Sequence, residues 1–462
     1  MRSIPPFLRD SGAPTLLKAC GIQLDISRQR MTRDDFNALL ALAKTRDVLG
    51  KYRQMMAGEI VNLSEGRCAL HTSLRSYASQ GPKLEEIRHE RDRFLSFAES
   101  IRSGRRLGCR GHRITDVINV GIGGSDLGIR TVYHALREPK MPIRLHFLSA
   151  ADGIQLERIL SECDPKTTLT VVSSKSFKTR ETMVNASAIE QWYLDAGIVG
   201  SDRRFHVVLV SANPQAAEQM CLPEENLFHS WEWVGGRFSL WGATGLPLAI
   251  ALGKEKFEQL LKGAQMMDEH ARDTEAHENF PLILALMSYW NSTHWSMSSH
   301  CLLTYDERLS MMVPWLQQLE MESLGKPAPR PCRLMTGQAV WGGHGNEAQH
   351  SFFQWLREGT ARSSIDLIWC ETPGHRFAEH YRVLLANAQA QAKALVERSD
   401  PEFFNALSTL SIDACTPARL GSLLALYEHK TTMLGSLYGL NPFDQPGVEL
   451  GKKLSLQLEH SK

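Results

Sequence analysis

The stretch ITDVINVGIGGSDLG, residues 114–128, decides the fold: a β-rich run stops at a glycine-rich turn and continues into a segment with helical spacing. The same alternation repeats downstream. IRLHFLS (143–149), TTLTVVS (167–173) and HVVLVSA (206–212) are β-rich runs, each followed by turn residues and a helical stretch. In the unit that follows TTLTVVS, Met183, Ala186, Ile189 and Trp192 recur on one side of a predicted helix. Strands alternating with helices predict a parallel sheet covered by helices on both faces, with ligands bound in loops at the carboxyl ends of the strands.

Outward from this region the pattern is less regular. Residues 254–325 read as mainly helical, IDLIWCE (365–371) reads as a buried strand, and helical patterns run over 376–398 and 418–437. The expected architecture is two αβ lobes packed together, with N-terminal helices wrapped onto one of them. The chain, 462 residues long, is large enough for two or three domains.

Lys plus Arg number 52 and Asp plus Glu 51, so the net charge of +1 gives no electrostatic reason to expect nucleic acid or a membrane surface as partner. The nine cysteines are dispersed, without CxxC pairs or zinc-knuckle spacing, which fits a reducing compartment. The N-terminus, MRSIPPFLRDSGAP, lacks the apolar core of a signal peptide, and the longest apolar run (282–287) is far short of the ~20 residues that cross a bilayer. The expected location is the cytoplasm.

Several segments carry groups suited to chemistry. GIGGSDLG (121–128) lets backbone approach a ligand, yet Asp126 stands where a dinucleotide fingerprint needs its third glycine. SSKSFKTRET (173–182) places Ser174, Ser176 and Thr179 before a helix start, a cradle for a phosphate monoester that reads equally as an ordinary helix cap. Arg237 follows two glycines. Gln318 and Glu322, four residues apart, share a helix face, where Glu322 is either a general base or a solvated charge. His350 is read at a helix start, where the dipole favours neutral imidazole. Lys452 follows a Pro-Gly turn near the chain end.

In this order the motifs resemble the glucose-6-phosphate isomerase family. VGGRFSLWGATG and GSLYGLNPFDQPGVELGKK are similar to its two signatures, and NVGIGGSDLG, SSKSFKTRETMVNA, YDERLSMMVPWLQQLEMESLGK and AQHSFFQWLREGT fall between them; VNLSEGRCALHTSLR lies upstream. The resemblance spans about residues 50–455. It implies an α/β fold of two SIS-type αβα sandwich domains with parallel-rich sheets and helices at both termini, divided as 75–245 and 1–74 with 246–462. It implies aldose–ketose isomerisation of glucose 6-phosphate and fructose 6-phosphate by ring opening and a cis-enediol, without metal or redox cofactor. Glu322 matches the base, Arg237 the arginine near the reacting carbons, and His350 and Lys452 the ring-opening pair. Ser125, Ser174, Ser176 and Thr179 match the phosphate site, with Gly124 and Lys175 in the same loops, Gln318 beside the base, and Gln445 and Glu181 in support. In the family the histidine comes from the partner subunit, which implies a homodimer with a composite site.

The chain departs from the family's pattern at Gly343, His344, Asn346, Glu347 and Ala348, at Leu324 where asparagine is usual, and at Ser176 and Lys178 where threonines are common. Three alternatives stand beside this reading: a non-catalytic sugar-phosphate-binding regulator built from the same sheet type, an isomerase of different or broader substrate, and, on account of the altered 343–348 stretch, a decayed enzyme.

Overall fold

The computed structural model describes residues 6–12, 15–331, 334–397 and 400–459. The four runs between 114 and 212 form β3 (Asp116–Val120), β4 (Arg144–Leu148), β5 (Thr168–Ser173) and β6 (Val207–Ser211), joined by the short β7 (Leu227–His229), after β1 (Leu16–Ala19) and β2 (Ile22–Arg28). The five strands from β3 onward pair in parallel in the order β4-β3-β5-β6-β7. Every residue of β3, β5 and β6 is buried, as a parallel sheet with two covered faces requires. From β3 the chain passes to one flank and from β5 to the other. The crevice between their carboxyl ends is therefore a switch point, flanked by the loops 121–126 and 174–179.

The second sheet is where sequence pattern and structure part. It contains β1, β2, β8 (Ser299–Tyr305), β9 (Ala339–His344), β10 (Ser364–Cys370) and β11 (Ala406–Ile412) in the order β1-β2-β11-β10-β8-β9. β10 coincides with the expected buried strand. β8 lies inside a region read as helical, because the preceding helix Phe280–Thr293 is buried on nearly every side and leaves no period to set against that of a strand. The chain also begins with the β1–β2 hairpin, antiparallel to β11, ahead of the expected helices (Arg33–Thr45 and Val48–Ala57).

The two faces of this sheet bury different sets of residues. Leu302, Val340, Ile368 and Leu410 pack with Leu316, Leu319 and Leu324 in the main core. Cys301, Leu303, Ile365 and Leu367 pack with Ala348, Phe353, Leu356 and Ala388 on the opposite face. No helix among the described residues is long and apolar enough to cross a membrane.

The helix Pro417–Tyr438 is buried along nearly its whole length. It packs closely on the helix Lys254–Asp273: a Cβ added at Gly263 would lie 1.8 Å from the Ala418 carbonyl oxygen, and one at Gly421 would lie 2.1 Å from that of Leu260. Its middle carries Glu428 and His429. Arg75 donates to Asp268 (2.6 Å) and to Glu428 (2.5 Å), Trp241 donates to the other Glu428 oxygen (2.8 Å), and His429 Nε2 is 2.7 Å from Asp268. Two carboxylates thus share one guanidinium. Burial, opposed by Arg75 and Trp241, pushes the Glu428 carboxyl from 4.5 to about 7. The folded chain keeps this proton at pH values where the unfolded chain has released it, so this group's contribution lowers stability as pH rises from 4.5 to about 7. Glu428→Gln is expected to remove that part of the decline. Thermal melting of both proteins between pH 5 and pH 8 measures it, and parallel profiles would refute the assignment.

Candidate active site

The first loop is built by close backbone approach. Asn119, buried in β3, donates through its side chain to the Ser125 carbonyl (3.0 Å) and ties the turn back to the strand. A Cβ on Gly124 would lie 2.0 Å from the Gly236 carbonyl carbon, and one on Gly123 would lie 2.9 Å from Gln318 Nε2. The glycines are therefore what lets the loop touch both the Arg237 segment and Gln318. Asp126 pairs with Arg130 (2.9 Å) and is structural.

The second loop precedes the helix Arg180–Asp195. Its N-cap residue, Thr179, makes no side-chain bond to the helix, so the amides of the first turn lack the usual side-chain acceptor. Ser174 is buried with its hydroxyl 3.4 Å from that of Thr179, Ser176 is exposed, and Phe177 holds a left-handed backbone (φ 56°) that sharpens the turn. Hydroxyls around an open helix N-terminus suit an anion. Lys175 is different: its ammonium donates to the carbonyls of Glu232 (2.8 Å) and Val234 (3.1 Å), and burial lowers its pKa. What it offers to a ligand is its backbone.

Arg237 is buried and held from several directions. It donates to Ser323 Oγ (2.7 Å), Gln445 Oε1 (2.9 Å) and the carbonyls of Pro442 (2.6 Å) and Asp444 (3.1 Å). Burial lowers its pKa, against the pull of Glu322 and Asp444. One of its nitrogens lies 3.6 Å from Glu322 Oε2, which is buried and has no hydrogen-bond partner within the chain. The side chain of Glu322 is 23% exposed, so the carboxylate is both oriented and reachable. Gln318 and Glu322 do not sit on an α-helix as their spacing predicts. Residues Gln317–Glu322 form a π-helical turn after the short helix Met312–Leu316, and this wider turn carries the glutamate toward Arg237.

His350 differs from its expected setting. It caps the carboxyl end of the short helix Gly345–Gln349, where the dipole has the opposite sign from a helix start, and its side chain is exposed. Its neighbours Ala348 and Phe353 pack on one face of the larger sheet, whereas Leu319 and Leu324, which bracket Glu322, pack on the other. Lys452 lies in the helix Glu449–Glu459, but its side chain is outside the described residues. Glu181 is exposed in the first turn of its helix.

Four residues of the site escaped the sequence reading: Ser323, Lys326, Asn441 and Asp444. Lys326 donates to Asn441 O (2.5 Å), Asp444 O (2.7 Å) and Asp444 Oδ1 (2.5 Å), and Asn441 donates to Asn62 (2.8 Å) and Ser64 (2.8 Å). This clamp fixes the carbonyls that hold Arg237. The partners named here lie 86 or more residues away, so no local pattern reveals them. Among the described residues one group has metal-ligand character, Asp116, His146 and Cys163. It lies where β3 and β4 begin, at the opposite end of the strands from the loops, and Arg144 (2.8 Å) already neutralises Asp116.

Comparison with known proteins gives one consistent picture. The family model described as phosphoglucose isomerase matches residues 25–462. The glucose-6-phosphate isomerases of Burkholderia lata and of Burkholderia pseudomallei (strain 1710b) are each 41% identical over 463 residues, covering 95% of this chain and 86% of theirs. The crystal structure of a glucose-6-phosphate isomerase from Chlamydia trachomatis superposes with a TM-score of 0.87 at 29% identity, covering 99% of this chain and 93% of that one.

The Gly124–Gly236 contact is directly testable. Gly124→Ala drives a methyl into backbone that cannot yield and separates the first loop from Arg237, at a cost of about 1–3 kcal/mol. Titration calorimetry with inorganic phosphate is expected to show roughly tenfold weaker binding. Unchanged affinity would mean that anion binding does not depend on this apposition.

Proposed function

The chain belongs to the phosphoglucose isomerase family, and we infer that it interconverts glucose 6-phosphate and fructose 6-phosphate at the site where the loops 121–126 and 174–179 meet Arg237 and Glu322. It is an aldose–ketose isomerase of glycolysis and gluconeogenesis. One observation supports the assignment of roles above the others: a carboxylate oxygen of Glu322, buried and unclaimed by the protein, faces a fixed guanidinium.

The phosphate docks on the hydroxyls of Ser125, Ser174, Ser176 and Thr179, with the backbone of Gly124 and Lys175 and the open helix start at Arg180 completing its shell. Anchored there, the sugar presents its first two carbons to Glu322, which takes the proton from C2 and returns it to C1. The carboxylate can serve both carbons because they are adjacent. Arg237, fixed by Ser323 and Gln445, stabilises the negative charge that develops on the enediolate oxygens. Gln318 borders the same space, and Glu181 stands at the rim. His350 and Lys452 move protons between the ring oxygen and the anomeric hydroxyl to open the ring.

His350 is exposed at the end of its short helix, which leaves it free to enter another copy's site. The proposed assembly is therefore a homodimer with composite sites. The proposed division at 75–245 follows the sheets: β3–β7 fall inside it, and β1, β2 and β8–β11 fall outside. A cytoplasmic setting fits the eight described cysteines, all free.

Glu322→Gln keeps the shape of the side chain but removes the base, so kcat is expected to fall by ~10²–10⁴ with phosphate-ligand binding nearly intact. A coupled assay on fructose 6-phosphate measures it, and activity within a few-fold of wild type would take the role from Glu322.

The composite site makes a sharper prediction. Co-expressed Glu322→Gln and His350→Ala chains are each inactive alone but form mixed dimers with one intact site. Recovery of up to about one quarter of wild-type activity is expected. No recovery, with mixed dimers confirmed by mass spectrometry, would place both residues in the same chain's site.

A further inference from the structure

Beneath the π-helical turn lies a chain of buried ionisable groups that the mechanism above leaves unused. Glu320, within the turn, accepts a hydrogen bond from Lys430 Nζ (2.8 Å). Lys430 lies on the helix Pro417–Tyr438 and stands 3.3 Å from His300 Nδ1 on β8. His300 Nε2 is 3.1 Å from Asp366 on β10, and Tyr427 donates to the same Asp366 oxygen (2.9 Å). None of these side chains is more than 7% exposed. Buried ion pairs add little or nothing to stability compared with apolar residues of similar size, because both charges must be desolvated. Stability alone therefore gives no reason for ions at this place.

Geometry supplies one. The turn holds one residue more than an α-helix would, and its relaxation to α-helical pitch would rotate everything beyond it by roughly 100°. The residues just beyond Glu320 are Glu322, 3.6 Å from Arg237, and Ser323, whose hydroxyl accepts from Arg237. Glu320 is the inward-facing anchor of this turn, and Lys430 is what it is anchored to. We propose that the Glu320–Lys430 ion pair is a positioning device: it holds the wide turn against relaxation and so fixes the Glu322 carboxylate at Arg237. Neither residue touches substrate. The inference rests on the assignment of Glu322 as base.

The test is the charge-free double variant Glu320→Gln/Lys430→Met, which leaves no unpaired buried ion and is expected to melt at or above the wild-type temperature. Its kcat is expected to fall at least fivefold, while KM for fructose 6-phosphate and affinity for inorganic phosphate stay within twofold. Exchange of the C2 proton with solvent is expected to fall in parallel with kcat, because the lost contribution is to proton transfer. A smaller loss of kcat, or a loss of phosphate affinity as large as that of kcat, would overturn the proposal by making the pair dispensable or generally structural. Glu320→Asp keeps both charges and shortens the anchor by one methylene. It covers the case in which the double variant fails to fold: a kcat loss of at least fivefold at unchanged KM supports the proposal, and a smaller loss overturns it. Glu322→Gln measured alongside separates the two readings, since an active Glu322→Gln removes the base itself, whereas an inactive one beside a fully active double variant removes only the positioning role.

Discussion

Three consecutive ionisable residues, Glu428, His429 and Lys430, are fully buried in the middle of one helix. No opposite charge stands three or four residues from any of them on the same helix, so each must find a partner on another element. Successive residues on a helix point about 100° apart, so the three partners lie on three sides. Glu428 reaches Arg75 and Trp241, His429 reaches Asp268 and Tyr52, and Lys430 reaches Glu320 and His300. Arg75 belongs to the segment that leads into the smaller sheet, Asp268 to the helix packed alongside, and Glu320 to the turn that bears Glu322; Tyr52 and His300 add the helix Val48–Ala57 and β8. One buried helix thus sets the relative placement of the pieces from which the site is made. The nearly touching backbones at Gly263 and Gly421 fix the distance at which it does so.

The smaller sheet was fully legible where its units repeat. Each of β3 to β6 is a β-rich run closed by turn residues, and each lies within two residues of its expected bounds. The larger sheet was much less so. β8 sits between helices that are themselves buried all round, so its apolar character carries no contrast. β2 did carry a signal, since Ile22, Leu24 and Ile26 alternate as a half-buried strand should. That alternation went unread because the pair lies outside the repeating region. β11 mixes four apolar residues with three hydroxylated ones, and its ladder with β10 joins residues 42 positions apart (Ser364 with Ala406), which no local window contains.

The site divides in the same way. Its loops were legible because glycine and hydroxyl-rich turns after parallel strands have few other uses. What could not be read is how Arg237 is held: its acceptors at Pro442, Asp444 and Gln445 come from the far end of the chain, and Lys326 fixes those acceptors in turn. The wide turn at 317–322 was also hidden, since nothing in QQLEME distinguishes a π-helical turn from an α-helix. Its cause is tertiary, the buried acid at Glu320 meeting a buried amine on another helix.

The departures from the family pattern acquire a meaning from the two faces of the larger sheet. Leu324 replaces a usual asparagine, but it is buried among Leu302, Leu316 and Val340, where an apolar side chain needs no partner; the exchange leaves Glu322 and Arg237 in place. Of the other departures, Gly343 and His344 end β9, and Asn346, Glu347 and Ala348 lie in the short helix that ends at His350, with Ala348 in the core on the other face. There Ala348 packs against Leu303 and Phe353, Gln349 is tied to Gln391 (2.6 Å), and His344 Nδ1 and Asn346 Oδ1 are buried without hydrogen-bond partners. The altered 343–348 residues thus form the strand end and short helix that lead into His350, whereas Glu322 and Arg237 keep their contact.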